Sequence, residues 1–577
     1  MSVDVTLLAE YSAIYPDLND KIEELTIGIP KSLILKAASS FLAYELIDHS
    51  ENSLQAISQL WFSEENEGFL KDLSKRIYRH YSNEAKKVGI LCAISSLKLL
   101  QHGFEKNETK LEKSKKQLEI DLFKIYLLLN ESFTSLHLRS ENYINETYPA
   151  IKLSLLLLTM GFSASDLINY NYSREFFCQS VKAMFLFDYL ENEPLMQTHK
   201  DYFLKKYGIV STTEYYQRVF PFIQQIVTKE KKGFIEINIE KNSEYETHKK
   251  IFGNLSVQQY AKEDDVDFRV VRGKPLVKID EDTYRITHPL FFTDRLYKSL
   301  YFEFSKINEE IDEKNRIKEF RSFYTTNFSE KFLFYKVIKY CLKNRYIQYS
   351  GEDIQNSYEL KGAPDYYIRN GKQIFLIENK DIFINASIKE NPLFEKLEIE
   401  LKKKFLIENG KGVGINQIIK NIEKVLGQIN VFDKAYNPNH VIIYPILVVH
   451  DIVYDCPGLN QLFNLWFQSE LNLLEQKNLY IKNVKPLVVL NIDTLIRSAE
   501  ILRSGNMKFS DLIEEYYKNC RLVKSTFKSY EEMKDEYTRM SLPSTEIIES
   551  YFNKNHSVLL RYNKILEFSS NGRISKN

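Results

Sequence analysis

Asp365, Glu378 and Lys380 are the residues whose types and spacing suit chemistry on a phosphate ester. Asp365 follows a proline, and twelve residues separate it from the triplet Glu378-Asn379-Lys380. Because side chains alternate along a strand, Glu378 and Lys380 project from the same face if this segment is extended. Mg²⁺ prefers oxygen ligands, and one or two carboxylates commonly hold it together with water and phosphate. We therefore predict that Asp365 and Glu378 bind Mg²⁺, with Mn²⁺ able to replace it, and that the backbone carbonyl of Asn379 adds a ligand.

The predicted reaction is the hydrolysis of a phosphodiester. A metal ion at these carboxylates would lower the pKa of a bound water and neutralise charge on the phosphate. Lys380 would then orient the attacking water or stabilise the transition state. A structural alternative remains open at this point. Asp365 could cap a turn, and Glu378 with Lys380 could form a solvent-facing ion pair that contributes at most about 1 kcal/mol.

A β-hairpin is expected to bring the three side chains together. The segments GAPDYYI (362–368) and KQIFLIENK (372–380) read as strands, and Asn-Gly lies between them, which is a strong hairpin signal. Two further buried strands are predicted over 441–451 and 485–493. Pro445, inside the first of these, cannot donate a backbone hydrogen bond and predicts an edge position or a bulge. No second histidine lies at ligand spacing from His450, so we predict a structural role for it.

Two helices are expected on either side of the hairpin in the sequence. The first is predicted over 327–342 and the second over 415–429. In the second helix, one stripe holds six aliphatic residues, as in an amphipathic helix with one buried face: Ile415, Ile418, Ile419, Ile422, Leu426 and Ile429. Alternating helices and strands over 320 to about 500 predict a mixed α/β domain.

The segment 327–450 resembles the core of the PD-(D/E)XK nuclease superfamily, which is a helix, a three-stranded meander, a second helix and a further strand. The resemblance covers roughly a quarter to a third of the chain. It implies that Glu330 on the first helix also contacts the metal and that Gln417 near the start of the second helix is catalytic. The residues alone leave alternatives. Asn327 and Glu330 fit a capping box, and Gln417 could be a polar residue on an exposed helix face.

Most members of this superfamily cut DNA, among them restriction, repair and phage-defence enzymes. The resemblance therefore implies a metal-dependent DNA endonuclease, acting as a bacterial phage-defence or restriction effector. RNA cleavage is a second possibility, because the chemistry acts on a phosphodiester in either polymer. A third is a non-catalytic scaffold, in which a nuclease-like fold binds nucleic acid or protein.

The expected fold class is a restriction-endonuclease-like mixed sheet flanked by helices, attached to a large helical N-terminal region with a small β-rich unit. The predicted units are a helical accessory or sensor region (1–225), a β-rich unit (226–315), the nuclease domain (316–510) and a helical extension (511–577) with a disordered end. We expect the helical N-terminal region to contact a protein partner or a second copy of the chain.

Composition limits the partners and the compartment. Lys plus Arg and Asp plus Glu both number 78, so any nucleic-acid surface must be a local basic patch. The five cysteines include no CxxC pair, and their odd number argues against a disulfide framework, which predicts a reducing cytoplasm. The apolar run 153–162 is too short to span a bilayer and the N-terminus does not resemble a signal peptide, so we expect a cytoplasmic protein without a membrane partner.

Overall fold

A computed structural model describes residues 7–44, 57–58, 61–82, 88–134, 140–168, 171–228, 233–390, 393–520 and 526–555. The predicted disordered end of the chain lies outside these ranges. Within them the protein has a mixed α/β architecture, with a five-stranded mixed sheet and a large helical region. This confirms the expected fold class at that level. None of the helices in the described ranges is both long and apolar enough to cross a membrane.

The N-terminal region is mainly helical, as predicted. Apolar residues recur at intervals of three and four, so each longer helix buries one face, as Lys31–Tyr44 does with Ile34, Leu35 and Ala38. The short strands β1 (Leu7–Leu8) and β2 (Val88–Gly89) pair in parallel. The α-helices of this region are Tyr11–Ile14, Ile22–Leu25, Lys31–Tyr44, Glu67–Tyr81, Ala93–Glu105, Lys115–Thr134, Glu141–Thr147, Lys152–Phe162, Ser165–Ile168, Tyr172–Asn192, Gln197–Tyr207 and Thr212–Thr228.

A small antiparallel sheet follows, in the order β3-β5-β4. Its strands are β3 (Ile235–Asn238), β4 (Leu276–Lys278) and β5 (Thr283–Ile286). Helices surround it, so strands make up only part of the predicted β-rich unit: Tyr245–Asn254, Arg269–Gly273, Pro289–Thr293 and Leu300–Glu310.

The central sheet has the strand order β12-β11-β8-β7-β6. β6 to β8 form an antiparallel meander, whereas β11 runs parallel to both β8 and β12. A separate two-residue pair, β9 (Ile407–Glu408) with β10 (Lys411–Gly412), lies between β8 and β11 in sequence. The strands of the central sheet are β6 (Ile347–Ser350), β7 (Tyr366–Asn370), β8 (Gln373–Lys380), β11 (Ile442–Val449) and β12 (Val488–Asn491).

The predicted hairpin is confirmed. β7 and β8 pair from Asn370 and Gln373 outwards, which leaves a two-residue loop. Gly371 opens this loop with a φ of 58°, a left-handed conformation that glycine adopts without steric cost.

Pro445 lies in the interior of the sheet, so the predicted edge position is wrong. The backbone N–H of Ile443 points from β11 towards the side on which β12 lies, and it donates to the carbonyl of Asn483. By alternation the nitrogen of Pro445 faces the same side. Regular pairing with β12 begins only at Ile446, opposite Val488. The proline therefore occupies a gap in the ladder where no donor is needed.

Helices cover both faces of the central sheet. The face that carries Ile377 and Val448 packs on helix 320–342, through residues such as Val337, and on Ile492–Ser504. The opposite face packs on two other helices, Ile415–Leu426 and Leu459–Glu475. The remaining α-helices here are Gly351–Tyr358, Ala386–Glu390, Phe394–Phe405, Phe509–Asn519, Tyr530–Ser541 and Ser544–Asn555.

The two helices predicted around the hairpin are present, with different ends. Helix 320–342 begins seven residues before Asn327 and contains an 11-residue π-helical segment, Tyr324–Phe334. The second helix ends at Leu426, so Ile429 is outside it and 65% exposed. The five earlier aliphatic residues of the predicted stripe are buried.

Candidate active site

The structure brings Asp365, Glu378 and Lys380 together at one end of the β7–β8 hairpin. Tyr366 pairs with Ile377, so Asp365, one residue earlier, lies opposite Glu378 on the same face of the sheet. The Lys380 Nζ atom is 3.5 Å from Glu378 Oε2 and 4.0 Å from Asp365 Oδ2. One ammonium group therefore lies close to both carboxylates.

Backbone hydrogen bonds hold Asp365 in place. The N–H of Asn379 donates to Asp365 Oδ2 at 2.8 Å, and the N–H of Gly351 donates to the Asp365 carbonyl at 2.8 Å. Gly351 begins the helix after β6, and a Cβ atom there would lie only 3.1 Å from the carbonyl oxygen of Pro364. These contacts fix the Asp365 carboxylate before any ligand binds.

Glu378 is fully buried, and Lys380 is mostly buried, with 18% of its side chain exposed. Burial raises the pKa of Glu378 well above its ordinary value, and the neighbouring charge of Asp365 raises it further, although Lys380 opposes this. Burial would lower the pKa of Lys380, but Asp365, Glu378 and Glu330 outweigh it, so this pKa is raised. Lys380 is thus held as a cation. Its single positive charge does not fully offset the repulsion between the carboxylates of Asp365 and Glu378.

Glu330 acts on this group electrostatically from the π-helical segment. The Tyr335 hydroxyl donates to Glu330 Oε1 at 2.8 Å. Burial and the charge of Asp365 raise the pKa of Glu330 to about 7, and Lys380 lowers it. The capping-box alternative for Glu330 is wrong, because Asn327 lies inside the helix, where its side chain donates to the carbonyl of Phe323.

We expect Glu330→Gln to stabilise the metal-free protein at pH 8 and to change little at pH 5. The folded-state pKa of Glu330, about 7, is raised above its ordinary value of 4.5. The folded state therefore binds more protons between these values, and the stability contributed by Glu330 falls as pH rises through them. Above pH 7 the amide removes a cost on the order of 1 to 3 kcal/mol. Urea unfolding of both proteins at the two pH values measures this, and a gain that is equal at both would contradict it.

On the second helix, the side chain of Gln417 caps the helix, whereas that of Asn421 contacts the site. Gln417 Oε1 accepts a hydrogen bond from the N–H of Gly414 at 2.7 Å, so its side chain caps the helix start. One turn later, Asn421 Nδ2 donates to Glu378 Oε1 at 3.4 Å. Asn421 was missed in the sequence, although a buried polar residue between Ile419 and Ile422 on an apolar stripe is a signal for such a contact.

A matched pair of substitutions separates these two roles. We expect Gln417→Ala to lower the free energy of unfolding by about 1 kcal/mol, the usual effect of losing a cap, and to leave activity within a few-fold. We expect Asn421→Ala to reduce activity about 10-fold or more, because residues that orient a metal ligand have effects of that size. Urea unfolding and initial cleavage rates provide both numbers. The reverse pattern would place Gln417 in the reaction.

The side chain of Asn379 points away from the carboxylates, to the other face of β8. Its Oδ1 accepts a hydrogen bond from His450 Nε2 at 2.8 Å. Burial lowers the pKa of His450 to about 4, so its ring is neutral near pH 7. His450 therefore anchors the strand end, in agreement with the predicted structural role. The Asn379 carbonyl as a metal ligand remains a prediction.

The residues present fit a Mg²⁺ ion held by two carboxylates. Within the described ranges, no three His, Cys, Asp or Glu side chains form a group that could hold a metal ion. The candidate ligands are Asp365 and Glu378, and a metal contact by Glu330 remains a prediction. Two carboxylates suffice for Mg²⁺, because water and phosphate oxygens fill its other positions. Burial and, after it, the charge of Asp365 raise the pKa of Glu378, and a bound dication would offset both effects.

Comparison with known proteins adds no relative to this picture. No protein-family model matches the chain, and no curated protein or solved structure does either.

Proposed function

We propose that this protein is a Mg²⁺-dependent endonuclease that hydrolyses phosphodiester bonds in DNA. The observation that carries the proposal is the convergence of Asp365, Glu378 and Lys380, whose ammonium lies within 4.0 Å of both carboxylates. An ordinary surface ion pair needs neither a second acid nor burial, and here Glu378 is fully buried. A buried excess of negative charge is costly, and a functional site is a common reason for it.

The order of elements also supports the proposal. Helix 320–342, the meander β6 to β8, the helix Ile415–Leu426 and β11 occur in this order in the chain. Other elements lie between them: the helices Gly351–Tyr358, Ala386–Glu390 and Phe394–Phe405 and the pair β9–β10. This is the order implied by the resemblance to PD-(D/E)XK nucleases. β11 lies beside β8, so the strand that carries Glu378 and Lys380 is held on both sides.

The residues of the site have separate tasks in the proposed reaction. Bound Mg²⁺ would supply Lewis acidity at the phosphate. Asp365 and Glu378 hold the ion, the Asn379 N–H keeps Asp365 in position, and Asn421 orients Glu378. The Lys380 ammonium is placed to position the attacking water and to stabilise the negative charge of the transition state.

The choice of DNA, and a role as a restriction or phage-defence effector, rests on the resemblance. A substrate panel tests it: supercoiled plasmid, linear duplex, single-stranded DNA and RNA, each incubated with Mg²⁺, Mn²⁺ or EDTA. We expect products from plasmid and linear DNA with either metal ion and none in EDTA. Cleavage of RNA alone would replace the DNA substrate, and no cleavage of any polymer would remove the nuclease proposal.

A non-catalytic scaffold is the second candidate, and the use of the Gln417 side chain as a helix cap favours it. A scaffold needs the fold of the sheet but not the charge balance of the site. If the protein is a scaffold, wild type and Lys380→Met would bind a DNA duplex equally well, and calorimetry would show no heat when Mn²⁺ is added. Metal binding that depends on Asp365 would exclude it.

A further inference from the structure

A cavity of about 1330 Å³ lies apart from Asp365, Glu378 and Lys380, which are not among its lining residues. One wall is formed by the helix Leu300–Glu310 and by segments 253–274 and 294–299. The lining also includes residues 383–386 and 389, which follow β8, residues 451 and 453, which follow β11, and Lys205, Lys206 and Lys250. Pockets for small molecules typically measure about 300 to 1,000 Å³, so the cavity can hold a ligand larger than a single amino acid or sugar.

The lining is rich in cations. Ten Lys and Arg residues line the cavity against seven Asp and Glu residues. Three of the acids already have cationic partners. Asp166 pairs with Arg272 and Lys389, Asp451 pairs with Lys298, and Glu303 pairs with Arg295. These pairs use four of the ten cations and three of the seven acids, so the remaining charge of the lining is positive.

Three lysines form the centre of this positive charge, Lys206, Lys274 and Lys306. Within the described residues Lys274 has no carboxylate in ion-pair range. Burial lowers the pKa of Lys274, and the ammonium groups of Lys306 and Lys206 lower it further. Lys206 pairs with Glu303 at 2.7 Å, and Arg295 contacts the same carboxylate. Lys306 pairs with Glu310 at 3.8 Å, so Lys274 is the lysine of the three without an ion pair among the described residues. An anion with several oxygens, such as a phosphate chain, would offset the repulsion between these ammonium groups.

An aromatic surface lies beside the lysines. Phe302, one helical turn before Lys306, is 52% exposed. Its ring stacks on that of Phe383, with centroids 5.1 Å apart and an interplanar angle of 25°. Both rings line the cavity. An exposed ring of this kind is a platform on which a nucleobase stacks without regard to its identity.

We propose that this cavity binds a nucleotide, with its phosphates at Lys206, Lys274 and Lys306 and its base on Phe302. A simple anion would need the lysines but not the ring, and an apolar ligand would need the ring but not the lysines. The cavity offers both about one helical turn apart, in a space that fits a nucleoside triphosphate.

Calorimetric titration of the full-length protein with ATP tests the proposal. EDTA is present throughout, so that divalent metal cannot bring ATP to Asp365 and Glu378. We expect saturable binding with a Kd below about 1 mM. Lys274→Ala or Lys306→Ala should weaken it about 10-fold, as expected for lost charge-assisted contacts. Phe302→Ala should weaken ATP binding about fivefold or more and leave tripolyphosphate binding unchanged. Lys306 and Phe302 are exposed, so these two variants test the site even if Lys274→Ala does not fold.

The control variant is Lys434→Ala, an exposed lysine outside the cavity lining, which should bind ATP like wild type. Hydrogen exchange should show slower exchange in segments 253–274 and 383–389 when ATP is added. The proposal is overturned if ATP, GTP, CTP and UTP all fail to bind at about 1 mM. It is equally overturned if Lys306→Ala and Phe302→Ala bind ATP as tightly as wild type, or if protection falls elsewhere.

Discussion

Asp365→Asn is expected to lose divalent-metal binding while the metal-free protein remains as stable as wild type or becomes more stable. The amide keeps an oxygen that can accept the Asn379 N–H, which donates at 2.8 Å in the wild type. It removes one of two charges that repel each other, since the charge of Asp365 helps to raise the pKa of Glu378. The substitution thus removes a ligand and a repulsion together.

Two measurements on the same preparation check this result. Calorimetry with Mn²⁺ should show binding to wild type and at least a 100-fold weaker response with the variant, the order of loss known for a catalytic electrostatic contact. Urea unfolding in EDTA should give an equal or higher free energy for the variant. Glu352→Gln is the control, because Glu352 is a nearby acid in a partly exposed ion pair with Lys331. Undiminished Mn²⁺ binding by Asp365→Asn would remove Asp365 from the metal site.

Lys380→Met is expected to lower the stability of the metal-free protein, unlike Asp365→Asn. Like Asp365→Asn, it is expected to lose activity. Without the ammonium, the buried Glu378 and its neighbour Asp365 lose their shared cation. Removing one partner of a buried ion pair typically costs about 3 to 5 kcal/mol. The loss of stability should be greater at pH 8 than at pH 5. As pH falls, the raised pKa of Glu378 lets its carboxylate accept a proton, so its negative charge no longer needs a partner. Mg²⁺ should restore part of the stability.

Chemical unfolding of Lys380→Met at both pH values, with and without Mg²⁺, measures these effects. Lys331→Met is the matched control, since the Lys331–Glu352 pair is partly exposed and should contribute less than about 1 kcal/mol. Cleavage by Lys380→Met should fall about 100-fold or more even where Mg²⁺ restores its fold. A fully active Lys380→Met protein would show that the ammonium serves stability only.

The sequence was sufficient to predict the parts of the site that depend on strand geometry. A period of two places Glu378 and Lys380 on one face, and the glycine of the hairpin loop fixes the register that sets Asp365 opposite Glu378. Four of the five strands of the mixed sheet were likewise readable as apolar segments. β6 was implied only by the resemblance, and the helix Gly351–Tyr358 was not predicted.

Features that depend on contacts between distant elements could not be read in this way. The role of Asn421 follows from the packing of its helix against β8. Its place within the apolar stripe indicates burial, but no local pattern indicates that its partner is Glu378. Helix 320–342 starts early and contains a π-helical segment whose Tyr324 and Phe328 are buried in the aromatic core. Tertiary packing of this kind overrides local signals such as the apparent cap at Asn327.

The most direct test is the conversion of supercoiled plasmid DNA by wild type and Asp365→Asn, side by side in Mg²⁺ and in EDTA. The proposed site predicts nicked and linear products with wild type in Mg²⁺ only. It also predicts a rate at least about 100-fold lower for folded Asp365→Asn. Equal conversion by the two proteins, or conversion by wild type in EDTA, would contradict the assignment of Asp365, Glu378 and Lys380 as the reacting centre.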